Sequence, residues 1–324
     1  MFFLDISPAF WYNAQKCVCQ QSPFERTLHQ IEKEKIHDLL IILVIYLLAF
    51  LIAYLPCIFL TSIMAKLFVF DSVATVVVFI FSVILRNSSV YDAYWSLTPG
   101  VMIIWLFAAE KALSSMHLLF LAVFLLWSLR LTLNWVVVFT DFSYEDWRYR
   151  KYRAETPRLF WPLVNFFGIH YMPTLVVFAG MLPLFSISKT AIGVMAIPGM
   201  IVMLLGIALE FYADRQMHRF LDSKKSGKVC STGLWKYSRH PNYLGEIAFW
   251  CGVYLVMLPY DISHWRYGIG CLSVCVLFNV VSIPLMEKRQ LSRRPAYMEY
   301  RQRTSRLLLR PPLKKAIGNI ERQF

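Results

Sequence analysis

Long apolar stretches alternate with short polar ones along most of this chain. Stretches approaching the roughly 20 apolar residues that a membrane-crossing helix needs fall at 38–60, 72–86, 99–109, 116–139, 162–185, 190–213, 244–259 and 264–284. They predict one all-α bundle, a polytopic integral membrane protein of about eight transmembrane helices within a range of seven to ten. The stretch 99–109 is the weakest, and a re-entrant path or an extension at either end would complete it. The organisation read from the pattern is a cytosolic N-terminal segment at 1–37, a single membrane domain at 38–312 and a cytosolic tail at 313–324. Residues 24–37 read as a short polar helix.

Charge gives the bundle a direction. With eight spans, one face carries 28 of the 33 lysines and arginines, in 1–37, 86–98, 140–161, 214–243 and 285–324. The opposite face holds Lys66, Lys111, Lys189 and Arg266, and Arg130 alone sits inside a span. The positive-inside rule therefore puts both termini in the cytosol. The sequon Asn87-Ser88-Ser89 then faces the cytosol and is expected to be unmodified.

Composition agrees with this reading and narrows it. Charged residues make up 16% of the chain and hydrophobic ones 58%, with a mean hydropathy of +0.51, whereas soluble domains carry about 25% charged residues. The net charge of +13 is spread between apolar stretches rather than gathered into a basic domain with interleaved aromatics, so no nucleic-acid partner is expected. The seven cysteines include no C-x-x-C pair, and four of them lie in apolar stretches. Neither a metal site nor a disulfide framework is expected. Met1 to Gln20 lack the basic and apolar regions of a cleaved signal peptide.

Three polar features interrupt the apolar pattern. Glu210, Asp214 and His218 are four residues apart and share one helix face, and an ionisable residue inside a span is costly enough to be a functional candidate. The string Gly233 to Glu246 packs Arg239, His240, Asn242, Tyr243 and Glu246 into a loop running into an apolar helix. Pro241 suits the first turn of that helix, whose open N–H groups favour an anion, and Arg239 could clamp a phosphate bidentately. The third feature is Tyr91 to Pro99, where Asp92 sits among Tyr91, Tyr94 and Trp95. It reads either as an interfacial aromatic anchor or as the wall of a substrate entrance that supplies a proton. The chain contains no G-x-G-x-x-G, Walker A or H-E-x-x-H sequence. A bundle with a positive pocket and no soluble domain suits an anionic cofactor held between helices.

The string Ser238-Arg239-His240-Pro241-Asn242-Tyr243-Leu244-Gly245-Glu246 closely resembles the signature of the steroid 5-alpha-reductase-like membrane family. Glu287-Lys288-Arg289 with Tyr297 and Tyr300 resembles its C-terminal element. Asp92 to Pro99 resembles an element of its uncharacterised branch, and the likeness covers roughly 72–312. It implies a bundle of seven to ten helices with NADPH in a cytosol-facing pocket. It also implies cofactor contacts at Arg130, Asp214, Arg239, His240, Asn242, Tyr243 and Tyr300, with Glu246 a buried acid beside them. The implied reaction is hydride transfer from NADPH to a carbon–carbon double bond of a lipid or sterol-like molecule taken from the bilayer, completed by proton donation. In the steroid reductases an acid of an early span polarises the substrate ketone. The stretch 72–86 holds no carboxylate, so Tyr91, Asp92 or Tyr94 is expected to take that role. The family implies the endoplasmic reticulum membrane in a eukaryote and the inner membrane in a bacterium. A related loop in isoprenylcysteine carboxyl and phospholipid methyltransferases implies a second reading, methyl transfer from S-adenosylmethionine. A third is a sterol-binding scaffold without activity.

Overall fold

The computed structural model of the protein describes residues 28–223 and 228–313. The proposed tail from 314 and most of the N-terminal segment lie outside the described residues. Among the described residues ten helices form in chain order: α1 (Leu28–Cys57), α2 (Ile63–Ile84), α3 (Tyr94–Ala109), α4 (Ser115–Val138), α5 (Trp147–Glu155), α6 (Trp161–Ile187), α7 (Ile197–Asp222), α8 (Pro241–Met257), α9 (Ile262–Arg293) and α10 (Tyr297–Arg303). Among the described residues there is no strand, and the chain is an all-helical membrane bundle. Six helices, α1, α2, α4, α6, α7 with the turn before it, and α9, are long and apolar enough to cross a membrane. The predicted spans at 99–109 and 244–259 are α3 and α8, of 16 and 17 residues.

Local chemistry sets several of the boundaries. Ser62, Ser114 and Asp146 cap α2, α4 and α5 by accepting from Ala65 N, His117 N and Arg148 N, at 3.5, 3.4 and 2.8 Å, each answering an N–H that has no partner inside its helix. Pro241 opens α8, where the missing N–H costs nothing. Two wide π-helical stretches, 164–171 in α6 and 277–282 in α9, each run into a proline, Pro173 and Pro284. A residue without an N–H breaks the regular ladder there.

Over its described part, 28–37, the predicted polar helix is not separate. The helix that begins at Leu28 continues without a break into the first span. The second span also starts earlier than its hydropathy suggests. It runs from Ile63, so it includes Lys66 and Asp71, and the expectation that the second span lacks a carboxylate is wrong.

Close packing centres on α7 and α8. Gly199 and Gly206 on one face Gly252 and Gly245 on the other, seven residues apart in both. A Cβ on Gly206 would stand 2.6 Å from Gly245 O, and one on Gly252 would stand 2.8 Å from Gly199 O. Without side chains the two backbones meet directly, the usual route to helix association where water provides no hydrophobic drive. The outer faces, such as Leu40, Leu47 and Leu51 of α1, remain exposed and apolar, as lipid contact requires.

The loops sort into two ends. At one end Lys35 Nζ donates to Val137 O, Phe142 N donates to Asp38, and Asn87 Nδ2 donates to Phe142 O and Tyr144 O. The sequon asparagine is thus consumed by loop packing. At the other end Lys189 pairs with Glu110 at 3.8 Å. A disulfide joins Cys251 of α8 to Cys271 of α9, with Cα atoms 5.3 Å apart, against the expectation from scattered cysteines. Antiparallel neighbours joined by a short turn bring residues 20 apart in sequence to the same depth. Cys275 lies one helical turn on, its sulfur within 4.8 Å of the other two.

Candidate active site

The segment before α3 does not stay at the surface. Ser88 to Ser96 are all buried, and the chain dips into the bundle before α3 begins. This carries Tyr91 and Tyr94 inward, with ring centroids 5.3 Å apart. The Tyr94 hydroxyl donates to Asp71 Oδ1 at 2.9 Å and to Asp71 O at 3.0 Å. Thr75 Oγ1 donates to the same hydroxyl at 3.4 Å and lies 2.9 Å from Thr174 Oγ1, which is 2.8 Å from the Tyr91 hydroxyl. Asp71, Thr75, Thr174, Tyr91 and Tyr94 are all buried, so five polar side chains from four segments form one hydrogen-bonded chain in an apolar core. The His170 ring lies 4.9 Å from that of Tyr91. Asp71, Thr75 and Thr174 were not anticipated. The signal was present in an acid and a threonine four residues apart, but it fell across an assumed span boundary.

Asp92, one residue from Tyr91, faces elsewhere. Its Oδ1 accepts from the Tyr149 hydroxyl of α5 at 2.7 Å. Burial, and then the Asp146 charge, push its carboxyl up to about 7, while the Tyr149 bond pulls the other way. Around it Glu145 accepts from Ser88 N and from Arg153, and Arg148 forms a two-pronged pair with Asp146. Asp92 thus belongs to the docking of α5 on the dipping segment.

Glu246 is capped by two indoles. Trp127 Nε1 donates to its Oε2 and Trp250 Nε1 to its Oε1, both at 2.9 Å, and Trp127 stacks on Phe249 at 4.5 Å. Nearby, Arg130 of α4 meets Glu210 at 2.7 Å and Asp214 at 3.3 Å, both on α7. The predicted shared face of Glu210 and Asp214 is therefore real, and its partner is the arginine inside the fourth span. Glu246 lies within electrostatic range of all three. Arg130 Nε and Asp214 Oδ1 are buried without a hydrogen-bond partner.

The residues proposed to hold a cofactor divide between two cavities on either side of the last turns of α7. Arg239, His240, Asn242, Tyr243 and Tyr300 line a narrow pocket of about 40 Å3 under the 233–240 turn. Arg130, Asn134, Asp214 and His218 line a separate cleft between α4 and α7. In the first pocket Arg239 is heavily engaged. Its Nε donates to Glu287 at 2.8 Å, and its Nη1 donates to Arg301 O and Thr304 O at 2.7 and 2.6 Å. It holds α10 and its following turn against the loop, and Tyr300 completes the join by donating to Trp235 O. The imidazole of His240 stacks on Tyr243 at 5.4 Å, and Tyr243 stacks on Phe278 at 4.5 Å. Burial lowers the His240 pKa, against the pull of Glu287, so its ring is neutral at pH 7. Asn242 is 2% exposed, and its Oδ1 accepts no hydrogen bond. A buried amide oxygen left open in a pocket is a costly feature that a bound donor would relieve.

The family model described as "Protein of unknown function (DUF1295)" matches residues 78–304, and that family belongs to the steroid 5-alpha-reductase-like group. An uncharacterised protein of Schizosaccharomyces pombe is 25% identical over 267 residues, covering 71% of this chain and 74% of that protein. The bovine protein 3-oxo-5-alpha-steroid 4-dehydrogenase 1 is 28% identical over 82 residues, covering 25% of this chain and 30% of that one. No solved structure matches the chain.

Proposed function

We propose that this chain, which belongs to the DUF1295 family, is a membrane-embedded reductase that uses NADPH to saturate a carbon–carbon double bond of a lipid or sterol-like molecule. The observation that carries the reading is the Tyr94–Asp71 pair, a phenol hydrogen-bonded at 2.9 Å to a carboxyl group deep in the bundle. Saturating a polarised double bond needs a proton donor at the end of the bond opposite the hydride, and a positioned tyrosine is a recognised general acid. Methyl transfer from a sulfonium donor has no such need. The likeness of 82 residues to a steroid dehydrogenase points the same way.

The residues under the 233–240 turn have the chemistry to hold part of the cofactor, and their pocket of about 40 Å3 must widen to admit it. Asn242 offers an open buried acceptor, and the stacked His240 and Tyr243 form a flat aromatic wall. When bound there, NADPH supplies the hydride, and the protein supplies position and protons. Tyr94 holds its proton toward Asp71 in the resting site. With Asp71 in its acid form the phenol can give that proton to a substrate carbon and take one back from the carboxyl. Thr75, Thr174 and Tyr91 continue the chain and fix the orientation of the donor. Arg239 and Tyr300 hold the pocket wall together through their bonds to the C-terminal element.

Thermal melting of the detergent-purified protein with NADPH, NADH and S-adenosylmethionine tests the reading. A ligand at 100 times its Kd stabilises by about 2.7 kcal/mol. The expected result is a shift with NADPH that Asn242→Ala removes. A shift with S-adenosylmethionine alone would replace the reductase with a methyltransferase.

A further inference from the structure

The cleft between α4 and α7 lies apart from the cofactor pocket and opens sideways. It measures about 840 Å3, within the range of small-molecule sites. Leu129, Leu133 and Val137 line one wall, and Leu204, Ala208 and Phe211 line the other. Several of these, including Leu129, Leu133 and Leu204, are exposed on the apolar outer surface of the bundle, so the mouth faces lipid chains. Its polar part is the Arg130–Asp214 pair. Asp214 is 3% exposed, yet its Oδ1 accepts nothing, and Arg130 Nε donates to nothing. In an apolar surrounding each open polar atom is expensive.

The chemistry of these atoms restricts what can fill the cleft. One open acceptor and one open donor lie on this salt-bridged pair. A carboxylate head has no hydrogen to give Asp214 Oδ1, and an ammonium head has no lone pair for Arg130 Nε. A neutral hydroxyl both donates and accepts, so it can answer Asp214 Oδ1 and Arg130 Nε together.

We infer that the α4–α7 cleft is a lateral binding site for a long-chain lipid alcohol, with its hydroxyl between Asp214 and Arg130 and its chain along the leucine walls. This goes beyond the reductase reading and does not depend on it.

The test uses the full chain in lipid nanodiscs and a hexadecanol probe with a photoactivatable diazirine in its chain. Labelling is expected on 126–137 and 204–211, with hexadecanol displacing the probe roughly tenfold better than hexadecanoic acid or hexadecylamine, the scale set by one mismatched polar contact. Ala208→Trp, which fills the cleft from the lipid side, should abolish labelling with an unchanged melting temperature. Asp214→Asn should erase the preference for alcohol over acid. Equal displacement by all three heads would mean an ordinary bilayer chain only and overturns the proposal, as does labelling that survives Ala208→Trp. The NADPH melting shift is read on the same samples. Its loss in the wild type would strike the reductase reading and leave the lipid site standing, and its survival in Ala208→Trp separates the two sites.

Discussion

Two groups of polar residues are buried among apolar helices here, and they differ in how completely their atoms are paired. In the Asp71–Tyr94–Thr75–Thr174–Tyr91 chain every hydroxyl has a partner at 2.8 to 3.4 Å. In the Arg130–Glu210–Asp214 cluster an arginine nitrogen and a carboxylate oxygen stay open. A closed network fixes a donor's direction and resists change. An open one keeps unmet hydrogen-bonding capacity that a ligand can meet. On the proposed reading, the contrast separates a proton-handling centre from a binding centre within one bilayer-embedded core.

The largest expected effect breaks the open cluster. Arg130→Leu leaves two buried carboxylates without a counter-charge and should cost about 3–5 kcal/mol, read as a large fall in melting temperature. Replacing Glu210 and Asp214 with leucine in the same variant should restore most of it. If the single substitution is silent, the ion pairs do not operate in the folded protein. In the closed chain Tyr94→Phe removes the donor to Asp71 and should cost about 1–3 kcal/mol. The same change should lower turnover by about 10²–10⁴-fold. Full turnover in Tyr94→Phe would remove this residue as the acid.

Asp92 is a third buried acid, outside both groups. Its carboxyl is held at about 7, above its ordinary 3.8, so the folded state favours the protonated form. Its contribution is fully present below about pH 4 and is lost as pH rises through 7. Wild-type protein should lose more melting temperature between pH 5 and pH 8 than Asp92→Asn does. Identical profiles would show that Asp92 is not buried as described.

How far the sequence foretells this arrangement depends on the kind of information each part needs. The eight apolar stretches all became helices, because hydrophobic length is a local property. The pairing of Glu210 with Asp214 on one face followed from helical spacing, also local. Asp71 was missed because Lys66 and Asp71 lower the hydropathy around them, and only packing shows that α2 tolerates both. Asp92 was grouped with Tyr91 and Tyr94 by proximity in sequence. The buried turn before α3 sends its side chain toward α5 instead. The division of the cofactor candidates between two cavities depends on which side of α7 each residue occupies, a tertiary fact with no trace in spacing. The role of Arg239 in holding α10 needs residues more than 60 positions away.

The smallest expected effect keeps the closed network intact while removing its proton. Asp71→Asn preserves an acceptor for Tyr94, so stability should change by less than about 1 kcal/mol. Turnover should nevertheless fall as in Tyr94→Phe. A stable variant with full turnover would make the Tyr94–Asp71 pair structural only.

Hydride transfer to a lipid can be followed by isotope transfer. The purified protein is incubated with a membrane lipid extract, methyl-labelled S-adenosylmethionine and NADPH deuterated at the transferable position of its nicotinamide, and the lipids are read by mass spectrometry. The expected product is a saturated lipid carrying one deuterium, formed by the wild type and lost in Tyr94→Phe. A lipid that instead gains a labelled methyl group from S-adenosylmethionine, with no deuterium taken from NADPH, would contradict it.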